Sequence, residues 1–229
     1  MSSKDTILGA IRNSLADLKT RPVVPPPPVV WPITNKNEDE LAEQFQTSLE
    51  AVLGEFVPCR DMNEATEKIA ALFCEIGVKN VGVMGNEISR KVANSLSGVE
   101  KHFAPSDPED VKPELLEPWD AGIVSPELLL ADTGSCFFAA PSAFDRLLCY
   151  IVPLCVCVAT KKMLRENLPH AWTELQDRFG SADSIERKTE AQTTGEFLIM
   201  TGPSRTADIE KVLILGVHGP RRVLVFLVD

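Results

Sequence analysis

The stretch Leu154-Cys155-Val156-Cys157-Val158-Ala159 decides the fold. It has no polar alternation, so as a strand it has no face to offer water. Strands that are apolar on both faces belong to parallel sheets covered by helices, because the crossover helices bury both sides. Working outward, short apolar strands are predicted at Glu55–Cys59, Asn80–Met84, Ala121–Val124, Cys136–Ala140, Phe197–Thr201 and Val223–Val228. Helical spacing falls between them. Glu38–Leu53 places Leu41, Phe45, Leu49 and Val52 on one face, and Glu87–Leu96 and Arg165–Phe179 read as further helices, the last closed by Gly180. Asn63–Ile76 starts after Asp61, whose carboxylate can accept orphan helix N–H groups, and stops at Gly77. The alternation predicts an α/β fold, a mostly parallel sheet with helices on both faces. In such sheets ligands bind at the carboxyl ends of the strands.

The amino-terminal part is different. Ile7, Ile11, Leu15 and Leu18 recur at helical spacing, flanked by Lys4, Asp5, Arg12 and Lys19, so residues 4–18 read as an amphipathic helix. Pro22, Pro25, Pro26, Pro27, Pro28 and Pro32 follow, which forbids helix and favours an extended tether. The expected organisation is residues 1–37 as helix and proline-rich linker, and 38–229 as the α/β domain.

The chain has 229 residues and a formal net charge of −10. That balance repels phosphate backbones and anionic lipid, so no nucleic-acid partner is expected. The longest apolar run, Leu147–Ala159, contains Pro153 and ends before Lys161 and Lys162, so no membrane span is expected. The first residues carry an early acid and no unbroken apolar core of a secretory signal. The six cysteines form no C-x-x-C pair, which argues against zinc-ribbon, thioredoxin and iron–sulfur sites and for reduced core thiols. A cytoplasmic location is the expectation, with no metal and no cofactor on this chain.

Three stretches can carry chemistry. Thr201-Gly202-Pro203-Ser204-Arg205-Thr206-Ala207-Asp208-Ile209-Glu210 follows a predicted strand. Ser204 and Thr206 are good helix-start residues, and a strand turning into a helix start exposes N–H groups to an anion. Arg205 can grip a carboxylate or phosphate, while Asp208 and Glu210 can orient it or act as acid and base. The same stretch also fits a plain strand-to-helix connection. Gly216-Val217-His218-Gly219-Pro220 offers a histidine, an acid, base or ligand near neutral pH, between two glycines. Asp132-Thr133-Gly134-Ser135 offers hydroxyls and free N–H groups to an oxyanion, or is a routine tight turn. Gly82-Val83-Met84-Gly85-Asn86 is a faint dinucleotide-fingerprint echo that lacks the third glycine.

The segments 201–210 and 216–220 with the closing strand resemble the carboxyl-terminal signature of the LUD-domain family. Ala131-Asp132-Thr133-Gly134-Ser135 is similar to that family's E-T-G-T turn, with Asp132 and Ser135 at its first and last positions. The opening helix, with Ile7-Leu8 and Ile11-Arg12, resembles the family as well. The resemblance implies a fold like that of the ribose-phosphate isomerase, glucosamine-phosphate deaminase and CoA-transferase group. It also implies a part in oxidising L-lactate to pyruvate beside a cysteine-rich partner and an iron–sulfur partner, which would hold the redox clusters. On this reading Thr133, Gly134, Ser135, Ser204, Arg205, Thr206, His218 and Gly219 bind a small organic anion, and Asp208, Glu210 and His218 are the candidates for catalysis. Two other functions remain open on the residues. One is a stand-alone isomerase or acyl transferase acting on a phosphorylated or carboxylated metabolite. The other is an interaction module docking through its first helix and tether.

Overall fold

The computed structural model describes residues 3–16, 31, 34–105, 119–179, 196–207, 213–216 and 218–229. The chain forms two units, Met1–Pro32 and Ile33–Asp229. The described part of the first is helix α1 (Ser3–Ala16), on which Ile7, Leu8 and Ile11 are exposed. Most of the proline-rich stretch lies outside the described residues.

The second unit runs α2 (Glu38–Ala51), β1 (Glu55–Cys59), α3 (Met62–Ile76), β2 (Asn80–Val83), α4 (Glu87–Ser95), β3 (Glu100–Phe103), β4 (Ala121–Val124), β5 (Leu128–Leu130) and β6 (Ser135–Ala140). It continues through α5 (Ala143–Leu148), β7 (Leu154–Thr160), a 3-10 turn at Lys161–Met163, β8 (Leu164–Arg165), α6 (Leu168–Phe179), β9 (Glu196–Met200), β10 (Arg205–Ala207), β11 (Leu213–Leu215) and β12 (Arg222–Val228). Six strands form one sheet in the order β1-β12-β7-β4-β2-β3, and every pairing in it is parallel.

β7 sits inside that sheet and explains its own composition. Leu154, Val156 and Val158 pack with Ala65, Ile69 and Phe73 of α3 and Val92 of α4. Cys155, Cys157 and Ala159 point to the other side, among Phe45 and Leu49 of α2 and Phe144 and Leu148 of α5. Successive side chains point to opposite faces, so a strand covered twice must be apolar throughout. Each aliphatic side chain so buried contributes about 1.5–3 kcal/mol. The helices are set by their caps. Asn37 and Glu40 form a capping box on α2, Asp61 Oδ1 accepts from Asn63 and Glu64 N–H at 2.9 Å each, and Gly77 closes α3 at φ 73°. Lys161 Nζ, 2.7 Å from Asp229 and from Asp39, ties the end of β12 to the start of α2.

A second sheet, β8-β5-β6-β9, covers the α2 and α5 side. Leu129, Cys136, Phe138 and Leu198 turn into the main core, while Leu128, Leu130 and Phe137 turn out against Ala171 and Leu175 of α6. The predicted strands Cys136–Ala140 and Phe197–Thr201 therefore pair with each other, antiparallel, outside the parallel sheet. The helix predicted from Arg165 starts three residues later. Leu164–Arg165 pairs with Leu129–Leu130, and Asn167 accepts the His170 N–H at 3.0 Å to open α6. Gly180 lies outside the described residues. No helix among the described residues is long and apolar enough to cross a membrane.

Candidate functional site

Ser204 is where two of the predicted stretches meet. Its N–H donates to Pro220 O at 2.8 Å, its carbonyl accepts from Gly216 N at 2.9 Å, and its hydroxyl accepts from His218 N at 3.3 Å. The Gly216–Pro220 loop thus closes around one serine. Glycine is required there: Gly216 has φ 77°, and a Cβ on Gly219 would lie 3.0 Å from Ser204 Cβ. His218 and Arg205 are exposed, and Arg205 pairs with no carboxylate among the described residues.

Two expectations are corrected here. Residues 205–207 do not start a helix. They form β10, antiparallel to β11, with Arg205 opposite Leu215 and Ala207 opposite Leu213. Ser204 therefore caps no helix among the described residues, and Thr206 N–H lies in a strand. The reason is the downstream run Leu213-Ile214-Leu215, a strand sequence that draws the preceding residues into a ladder. Asp208 and Glu210 lie outside the described residues. The second correction is the location. Pro220 leads straight into Arg222, the first residue of β12, and the N–H groups of Arg221 and Arg222 both donate to Pro153 O, just before β7. A turn that enters a parallel strand stands at its amino end, so the loop lies opposite the carboxyl ends where the cleft was expected.

The third stretch is near but separate. The Ser135 hydroxyl, in a residue 2% exposed, donates to Thr133 Oγ1 at 2.8 Å and lies 2.7 Å from Thr201 Oγ1. That joins the Thr133–Ser135 turn to the start of the 201–207 segment, but no described bond joins it to His218. Gly134 serves packing: at φ 64° its missing side chain lets the backbone of Ser48 and Leu49 on α2 approach, where a Cβ would be 2.3 Å from Leu49 N. The neighbouring Ser48 Oγ donates to Asp132 O at 3.2 Å.

The LUD domain family model matches residues 42–228, which is nearly the whole second unit and all three stretches. The chain belongs to the LUD-domain family. It is 28% identical over 115 residues to lactate utilization protein C of Oceanobacillus iheyensis, a match covering 50% of this chain and 46% of that protein. It is 28% identical over 118 residues to an uncharacterized protein of Neisseria meningitidis serogroup B, covering 51% and 46%. The chain thus spans about half the length of the curated relatives it matches. The crystal structure of a DUF162-family protein from Deinococcus radiodurans shares the fold, with a TM-score of 0.56 at 18% identity over 85% of this chain and 99% of that one.

At the carboxyl ends of the LUD-domain sheet stand residues the motifs did not single out. Asp145 on α5 is 2% exposed; its Oδ1 accepts from Gly85 N at 2.7 Å and its Oδ2 from Ser142 Oγ at 2.5 Å. Asn86 caps α4 at Ser89 N, 2.9 Å, and its amide donates to Ser125 O at 2.9 Å, bridging the ends of β2 and β4. The faint glycine echo at 82–86 was the one sequence signal for this region. Asp145 had none, since a six-residue helix after Pro141 leaves no readable period.

Proposed function

We propose that this chain is the non-redox subunit of a lactate utilization system, binding a small organic anion beside cysteine-rich and iron–sulfur partners that carry the electrons from L-lactate to pyruvate. Family membership and the likeness to a protein named lactate utilization protein C support this reading. The observation that carries the anion-binding part is the closure of the Gly216–Pro220 loop on Ser204, with the exposed Arg205, which pairs with no carboxylate among the described residues, as the next residue. A guanidinium without a carboxylate partner can take a carboxylate by two parallel N–H bonds. The Ser204 hydroxyl and the His218 imidazole flank that position, and histidine can give or take a proton near neutral pH.

Calorimetric titration with L-lactate, pyruvate and phosphate tests it, on the wild type and Arg205→Ala. The variant should lose about 1.5–3 kcal/mol of anion binding, the worth of a hydrogen bond to a charged group, with an unchanged melting temperature. Equal binding by both proteins would remove Arg205 from the site. One observation favours a second reading, an interaction module: α1 exposes Ile7 at 58% and Ile11 at 49% on one face. An isomerase or acyl transferase has no such support beyond its fold group.

A further inference from the structure

We propose that the amino end of the parallel sheet is a docking surface for a different protein, and that it takes an extended acidic segment anchored by an aliphatic side chain. This goes beyond the anion site at Ser204 and does not depend on which anion that site binds.

The loops that enter the strands build the surface. Leu53 precedes β1, Ile76 precedes β2, and Tyr150 and Ile151 precede β7. Every pairing in the sheet is parallel, so these loops share one end of it. The four side chains are between 44% and 50% exposed. Among the described residues of the second unit, only Trp172, Phe197 and Ile199 are comparable large hydrophobics at the surface. Exposed apolar side chains gathered in one place and rimmed by polar groups mark an interaction site. From β1 to β2 the order is β1-β12-β7-β4-β2, a width of roughly 20 Å at about 4.8 Å per strand. An extended segment of about six residues covers that width, and a small metabolite does not.

The surface contains a socket. A cavity of about 320 Å³ opens between Ile76 and Val78 before β2, Pro153 and Leu154 at the start of β7, and Arg221 before β12. Main-chain bonds fix its walls. The N–H groups of Arg221 and Arg222 both donate to Pro153 O, and Asp120 Oδ2, which also lines the cavity, accepts from Lys79 and Asn80 N–H at 2.8 and 2.9 Å. A fixed cavity with isoleucine, valine, proline and leucine in its walls accepts one apolar side chain, the usual anchor at the centre of a protein interface.

The rim sets the sign of the partner. Lys79, Arg205 and Arg221 are exposed at this end, and none of them pairs with a carboxylate among the described residues. Arg222 is held by Glu55 at 2.7 Å, with the exposed Glu75 also acting on it, so its charge is already answered. On a chain of net charge −10, three unanswered cations beside an apolar patch are a local reversal of sign. Complementary potentials then select an acidic partner. A second copy is a poor match, since a twofold pairing of this end with itself would oppose these cations. Anionic lipid is repelled by the net charge of the whole chain.

The test titrates the full chain into a fluorescent peptide of alternating Glu and Leu, about eight residues long, and reads anisotropy at low and high salt. The same peptide with Lys for Glu, and one with Ser for Leu, are the controls. The Glu–Leu peptide should bind, less tightly as salt rises, and both controls should bind at least tenfold more weakly. Arg221→Glu should weaken the Glu–Leu peptide about tenfold, and Ile76→Asp and Tyr150→Ser several-fold each. Trp172→Ser, on α6, should change nothing. Ile76 is separated from the Ser204 loop by β7 and β4, so Ile76→Asp should leave calorimetric titration with pyruvate and phosphate as in wild type, and failure at the two sites reads out separately. Should Arg221→Glu not fold, the half-exposed Ile76 and Tyr150 variants decide. No binding of the Glu–Leu peptide, equal binding of the Lys version, or affinity unchanged in the variants would overturn the proposal. So would a dimer in ultracentrifugation that these substitutions dissolve, or binding to vesicles of phosphatidylcholine and phosphatidylserine in equal parts that they abolish.

Discussion

Two residues show how a local arrangement sets stability. Gly134 looks in sequence like an oxyanion-binding turn, yet its position against α2 gives it a packing task. At φ 64°, with Leu49 N 2.3 Å and Leu49 Cα 2.5 Å from any Cβ, Gly134→Ala must displace α2 backbone that carries the buried Phe45 and Leu49. The expected loss is about 2–4 kcal/mol by urea denaturation, while Gly85→Ala should cost under about 1 kcal/mol. A Gly134→Ala protein as stable as wild type would refute the packing assignment. Glu166 is the second case. It is 6% exposed, and its carboxylate accepts from the Thr34 N–H at 2.8 and 2.9 Å and from the Thr34 hydroxyl. Burial pushes its pKa up, but the Thr34 hydroxyl and amide, with Lys36 and His170 nearby, hold it below the ordinary carboxylate range. A folded pKa below the unfolded one means stability that is present above the unfolded value and lost as pH falls through the folded one. Thr34→Val should therefore flatten the fall in denaturation midpoint between about pH 5 and pH 2. Wild-type and variant curves that run parallel would show that Thr34 does not set this pKa.

At the scale of elements, Thr34 also marks where the body begins. It belongs to the unit Ile33–Asp229, and Asn37 supplies the cap of α2. A chain lacking residues 1–32 should melt within about 2 °C of wild type, whereas one lacking residues 1–37 loses the Glu166 donors and that cap and should melt several degrees lower. Equal melting of both truncations would dismiss a stabilising role for Thr34 and Asn37. The elements legible in sequence are those with a full signal. β7 is apolar on six successive residues, and α3 has a cap, a period and a terminal glycine. The rest were hidden for definite reasons. β5, β8 and β10 are two or three residues long, too short to show alternation. Ser204 and Thr206 are as typical of a helix start as of a turn, so the choice between helix and hairpin fell to the pairing with Leu213–Leu215, a contact that local spacing does not express. The meeting of Ser204 with His218 was within reach because both flank glycine turns. The end of the sheet at which they meet depends on strand direction, which only the assembled sheet fixes.

For the whole molecule, the question is whether electrons can pass through this chain, and the thiols bear on it. Iron–sulfur clusters are held by cysteine thiolates that converge and can ionise. Here Cys59, Cys136, Cys149, Cys155 and Cys157 are buried, and Cys74 is exposed. Along one strand, Cys155 Sγ lies 4.0 Å from Cys157 Sγ. Burial pushes the Cys149 thiol well up, with Cys155 and Cys136 adding to it, and contacts with Cys136 and Cys155, then burial, do the same to Cys157. Cys136, Cys149, Cys155 and Cys157 are all buried in the main core, where they pack as small hydrophobes between β7, β6 and α5. The proposed function assigns the redox centres to its partners, and the thiols test that assignment. Labelling the native protein with a thiol reagent should modify Cys74 rapidly and the others only on unfolding, with six thiols released in denaturant. Cys74→Ser should remove the fast phase, and incubation with iron and sulfide should produce no visible absorption band. A second thiol as reactive as Cys74, or a brown protein with stoichiometric iron, would place a redox centre on this chain and end the division of labour proposed for it.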